Sequence, residues 1–259
     1  MTNHADSAGQ SWAGRSFEPN PNAGDDGSAP PVLMAALAAF VATPSDSPER
    51  VRAHIAVIDA IRQSRFLIPL VAEAGDLGVT AAGLTVDKTQ ELAIVTVEGP
   101  GERRVLPVFS SVTAMALWRA DARPVPADGV RVALAAAGDG AQWVVIDPGS
   151  PTEFVVRRPT IDAIAQTMDW VPSHSDPLVV EAFERTVATQ SAVRRVTLRS
   201  GDSDSRGQGD EVTVELALAP ELDQQDLIII VNALADLWAQ EQTISDRVDS
   251  LRVQLIPDH

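Results

Sequence analysis

R-R-V-L-P-V-F (Arg103–Phe109), S-S-V-T-A-M-A-L-W (Ser110–Trp118) and W-V-V-I-D-P-G-S-P-T-E-F-V-V-R-R (Trp143–Arg158) are the runs from which the fold is read. The first is apolar, rich in β-branched residues and strand-like. The second, Ser110 to Trp118, reads as a short helix. The third holds two apolar runs around D-P-G-S, with Pro148 and Gly149 at the two central positions of a type II turn. Strand, helix and hairpin in that order give an α+β pattern, because strands and helices do not alternate regularly.

Working outward, Glu91–Val97 and Arg103–Phe109 flank E-G-P-G and read as a hairpin. Arg65–Val71 reads as a strand, with Pro69 suggesting an edge or a strand end. A helix is expected over Pro31–Ala42, with Leu33, Leu37, Phe40 and Val41 on one side. A second begins with Ser47 as N-cap, Pro48 at the first helical position and Glu49 at the positive end of the dipole. Its stripe is Val51, Ile55, Ile58 and Ile61, with His54 beside it as a core-edge residue. Further helices are expected from Asp128 to Ala137 and from Pro159 to Met168. Residues 32–170 thus form an α+β domain with a mixed, hairpin-rich sheet and packed helices.

The segment D-W-V-P-S-H-S-D-P (169–177) marks a boundary, and residues 171–259 read as a smaller αββαβ domain. A helix spans Glu181–Thr189. Val193–Arg199 and Glu211–Ala219 alternate, and pairing them antiparallel sets Arg199 opposite Glu211, Thr197 opposite Thr213 and Arg195 opposite Glu215. The loop between them reads as a mobile hairpin tip. A helix over 222–240 carries Leu227, Val231, Leu234 and Trp238, and a strand closes the domain at Leu251–Ile256. Ile228 and Ile229 widen the apolar face of that helix. They are expected either to be buried against the first domain or to form a partner or homodimer interface through the 222–240 helix.

The chain has 259 residues, is 45% hydrophobic and contains no Cys and no Tyr. Disulfides, thiolate metal sites and cysteine nucleophiles are excluded. Net charge is −16, and the 16 acids and seven bases of residues 171–259 contribute most of it. Such a surface does not suit a phosphate backbone, so no nucleic-acid partner is expected. The start lacks a signal pattern, and no apolar run approaches the roughly 20 residues of a membrane span. A cytoplasmic protein with no membrane partner is expected. Residues 1–31 read as a disordered tail, in which Trp12, Arg15 and Phe17 are candidate partner contacts.

The four histidines show neither zinc spacing nor a base for a serine nucleophile. There is no G-x-S-x-G, P-loop or G-x-G-x-x-G. No cofactor, metal or catalytic set is expected. Asp202–Asp210 departs from a calcium loop by Arg206 at the fifth position and Thr213 in place of the bidentate Glu. Arg103 and Arg157, with the turn residues Asp147 and Gly149, are a candidate anion cleft. Asp147 is also read as making an Asx bond at the start of its turn.

L-P-V-F-S-S-V-T-A-M-A-L-W followed by V-V-I-D-P-G-S-P-T-E-F-V-V resembles the N-terminal domain of the SseB family, and R-F-L-I-P-L-V fits the same pattern. The tail W-A-G-R-S-F-E-P-N-P extends the resemblance to actinobacterial members. The resemblance implies the fold and brings no catalytic residues with it. The function expected from all of this is a non-enzymatic interaction or regulatory module with a protein partner. The alternative is a protein that binds a small metabolite such as an amino acid or anion, and a carboxylate-based hydrolase comes third.

Overall fold

The computed structural model describes residues 24–72, 77–79, 85–87, 92–94 and 96–257. Two helices come first, α1 (Pro31–Ala42) and α2 (Glu49–Gln63). Strand β1 (Arg65–Ala72) follows, then the short strands β2 (Leu77–Val79), β3 (Thr85–Asp87), β4 (Leu92–Ile94) and β5 (Val97–Glu98). The chain continues through β6 (Arg104–Val108), α3 (Val112–Trp118), β7 (Arg123–Asp128) and α4 (Gly129–Gly138). The hairpin β8 (Trp143–Ile146) and β9 (Phe154–Arg157) leads into α5 (Arg158–Ala165). The second half runs α6 (Pro177–Val187), β10 (Val193–Ser200), β11 (Val212–Leu218), α7 (Gln224–Gln240), α8 (Gln242–Arg247) and β12 (Leu251–Ile256).

The α+β class is as the sequence indicates. Two sheets build the first half, in the orders β4-β1-β7 and β5-β6-β8-β9, and β2 pairs with β3 in a separate ribbon. A Leu67–Phe109 bridge joins the two larger sheets. Their apolar faces pack on α1, α2, α4 and α5 around Phe40, Phe66, Leu106, Ile146 and Phe154. A second core in the C-terminal half packs α6, α7 and α8 on the sheet β10-β11-β12, around Phe183, Leu216, Leu234 and Trp238. Side-chain oxygens begin several helices: Ser111 accepts from Ala114 N, Asp128 from Arg131 N and Asp176 from Leu178 N. Asp223 and Asp226 make a reciprocal capping box at α7.

Several local expectations are corrected. Strand β1 is central, between β4 and β7. Its Pro69 falls in the gap between Leu67, which bridges Phe109, and Leu70, where pairing with β4 begins, so its missing N–H interrupts no ladder. The expected strand Glu91–Val97 is two pieces, β4 on β1 and β5 on β6. Strand β7 carries Pro124 and Pro126, which hid it. Ser47 does not cap α2, and its hydroxyl is buried without a partner. Val41 faces solvent, whereas Leu33, Leu37 and Phe40 are buried.

The β10–β11 register also differs. Arg199 faces Thr213, Thr197 faces Glu215 and Arg195 faces Ala217, a slip of two residues that keeps Val196, Leu198, Val214 and Leu216 on the helix-packed face. Gly201 N donates to Glu211 O, so the rung at 201 and 211 closes the hairpin. The Glu211 carboxylate turns inward and accepts from Ser173 Oγ and Asp249 N, both at 2.6 Å. Arg199 reaches diagonally to Glu215 at 2.9 Å.

Candidate functional site

The loop between β10 and β11, expected to be a mobile tip, is docked on the first half. Ser205 is buried, and its carbonyl accepts from Val155 N at 2.7 Å, which covers the free edge of β9. Asp202 organises the loop by accepting from Arg206 N and Gly207 N. Gly207 has φ +68°, and a Cβ there would lie 2.7 Å from the Trp143 ring. Arg50 on α2 holds the same loop. It stacks 3.6 Å over the Phe40 ring and donates to Phe40 O and Thr43 O at the end of α1. It also donates to Ser203 O and Asp204 Oδ1 in the loop.

Arg157 is the centre of the junction. Nη2 lies 2.8 Å from Asp202 Oδ2 and 2.7 Å from Gly209 O, while Nη1 lies 3.0 Å from Asp249 Oδ2. Trp143 Nε1 donates to the same Asp249 oxygen at 3.2 Å. Arg103 and Arg157 stack on Trp143, with guanidinium carbons 4.7 and 5.0 Å from the ring. Cation–π contact and two carboxylates offset the desolvation of the guanidinium.

This geometry corrects the expected anion cleft. Arg103 and Arg157 come together, but Asp147 and Gly149 lie at the opposite end of β8, because Trp143 pairs with Arg157 and Ile146 with Phe154. Arg157 is already paired with two carboxylates. Gly149 N donates to Glu153 Oε2, so a negative charge occupies the turn. The D-P-G-S turn forms as read, with Gly149 at φ +76° and Ser150 N donating to Asp147 O. The Asp147 side chain, however, accepts from Ser110 N, Ser110 Oγ and Thr152 Oγ1 at 2.7–2.9 Å and thereby joins the ends of β6 and β8.

A narrow polar cavity of about 30 Å³ lies behind the junction, lined by His54, His174, Glu211, Asp202 and Arg157. His54 packs against the rings of Phe40, Phe154 and Trp170 at 4.9–5.5 Å. Burial, with His174 nearby, lowers its pKa to about 3. Burial also lowers that of His174 and raises that of Glu211. Both histidines are therefore neutral at physiological pH.

Among the described residues, an acidic concavity and one side of α7 are open to solvent. A concavity of about 470 Å³ beside α5 and α8 is walled by Asp162, Asp169, Asp176 and Asp246 with Arg158 and Arg247, an acidic excess that favours cations. On α7, Ile228 and Ile229 are 54% and 58% exposed, so the first half does not cover them. Trp12, Arg15 and Phe17 lie outside the described residues. Sequence reasoning did not pick out Trp143, Asp202, Glu211 or Asp249 as junction residues. The three glycines of G-D-S-D-S-R-G-Q-G were the available signal for a loop of fixed shape.

The SseB protein N-terminal domain matches residues 33–163, and the chain belongs to that family. No curated protein matches the chain.

Proposed function

We propose that this protein is a non-enzymatic cytoplasmic interaction module that binds a protein partner through the exposed side of α7. The observation that carries the reading is the exposure of Ile228 and Ile229 on a helix that packs Ile230, Leu234 and Trp238 into the core. Two adjacent, half-exposed isoleucines beside acidic Asp226 and Asp236 suit a partner with an apolar centre and a basic rim. The non-enzymatic part rests on chemistry already satisfied: the carboxylates, guanidinium groups and Trp143 indole of the junction bond to one another. No helix among the described residues is long and apolar enough to cross a membrane.

The test is capture of a stoichiometric partner from native lysate by the full chain, an Ile229→Glu variant and a chain lacking residues 1–23. Loss of that partner from Ile229→Glu, at unchanged thermal stability, is expected. Equal capture by wild type and Ile229→Glu removes α7 from the reading. Loss with the shortened chain would add Trp12, Arg15 and Phe17 to the contact.

A further inference from the structure

Two edges bound the C-terminal sheet, and they differ. Strand β10 is irregular between Val193 and Arg195 and carries Arg194, Arg195 and Arg199, features that blunt an edge against pairing. Strand β12 (L-R-V-Q-L-I) has one charge and a regular six-residue register on β11, and no partner on its other side among the described residues. Its helix-facing residues are Leu251, Val253 and Leu255, and Leu255 is 42% exposed. The edge thus offers unpaired backbone groups and an unfinished apolar face.

Helix α7 carries matching features on its flank above β12. A groove of about 390 Å³ opens there, lined by Ala235, Trp238, Ala239 and Leu251 together with the polar Arg158, Asp249 and Ser250. Helical periodicity places Ile228 on the same face as Ala235 and Ala239, seven and 11 residues away, whereas Ile229 falls about 100° round the helix. One flank therefore has a protruding Ile228 near its start and a groove floored by small residues near its end, about 16 Å apart.

We infer that β12 and this flank of α7 form an isologous interface with a second copy of this chain. Antiparallel pairing of β12 with its copy, centred on Val253, sets Leu251 opposite Leu255 and Val253 opposite itself. The apolar residues stay on one face, and Arg252 meets Gln254, so no like charges oppose. A two-fold axis through that point exchanges the ends of α7, which brings Ile228 of each copy to the groove at Ala235 and Ala239 of the other. The alanines permit close helix approach. Net charge of −16 per chain opposes association only weakly, because salt screens exposed charges beyond about 8 Å. The inference rests on the interaction reading and shares Ile228 with it, but leaves Ile229, about 100° round α7, outside the contact.

The test is the solution mass of the full chain by light scattering at tens of micromolar. It is run beside Leu255→Lys, at a position 42% exposed, and beside Val253→Cys and Arg199→Cys. The chain has no native cysteine, so each introduced thiol reports alone. The expected wild-type mass is about twice the 27.5 kDa of one chain. Leu255→Lys is expected to halve it with unchanged circular dichroism, and Val253→Cys, but not Arg199→Cys, is expected to cross-link on mild oxidation. A monomeric wild type overturns the inference and leaves the Ile229 surface untouched. A dimer that survives Leu255→Lys without cross-linking at position 253 also overturns it, since the contact then lies elsewhere.

Discussion

Arg157 on β9 and Asp202 in the β10–β11 loop form an ion pair 2.8 Å long between the two halves, with side chains 7% and 6% exposed. A buried pair adds little by existing, but removing one member leaves the other desolvated and unmatched. Arg157→Met strands both Asp202 and Asp249. It is expected to lower unfolding free energy by about 3–5 kcal/mol, read from the urea midpoint. Replacing Asp202 as well is expected to cost much less than the sum of the single changes, because the two residues share one interaction.

Gly207 and Gly140 separate space from backbone freedom. Both have positive φ, +68° and +67°, but a Cβ at 140 meets nothing within 4 Å, whereas one at 207 meets Trp143. Gly140→Ala is expected to cost about 1 kcal/mol. Gly207→Ala is expected to cost clearly more and to change Trp143 fluorescence as the loop shifts. Equal thermal shifts for the two would contradict the docked loop.

Acidification acts through His54. Its folded pKa, lowered to about 3, lies below the 6.5 of the unfolded chain, so protons favour unfolding. Its contribution is complete above pH 6.5 and is lost as pH falls toward 3. Between about pH 7 and pH 5 the loss from this residue approaches 2 kcal/mol. His174 acts in the same direction, since its pKa is lowered by burial. Glu211 acts in the opposite one: its raised pKa means its contribution is lost as pH rises through the folded value. Urea titrations at the two pH values are expected to show a smaller change in His54→Asn than in wild type.

Asp147 gives a graded test. Asp147→Ala leaves the Ser110 and Thr152 donors without their acceptor and places Ala at φ +47°, for an expected loss of about 2–3 kcal/mol. Asp147→Asn keeps an acceptor for Ser110 N and tolerates the left-handed backbone, so its loss is expected to be smaller.

Legibility in the sequence followed the range of the interaction. Helix α1, the Asp128 cap and the D-P-G-S turn are local, and their residues declare them. Strand β7 was obscured by prolines that matter only through their position opposite β1. The aliphatic residues of the β10–β11 hairpin were placed on their correct face, yet the strands pair two residues out of the expected register. Arg199 and Glu211 are a favourable pair on paper, but Glu211 is drawn inward by Ser173 and Asp249, which are 38 residues away on either side. Arg157 was noticed as a charge at a strand end, but nothing local announced that Asp202 and Asp249 would meet it.

The carbonyl of Ser205 that covers β9 has a consequence for cutting the chain. The segment matched to the SseB N-terminal domain ends at residue 163, and a fragment made to that boundary would lose Ser205, Asp202 and Asp249 together. Val155 would present a bare strand edge, and Arg157 would lie beside an uncovered Trp143, a surface suited to aggregation. The stretch that the family domain matches is thus shorter than the stretch whose contacts close β9 and Trp143, and a preparation cut at residue 163 is expected to aggregate where the full chain does not.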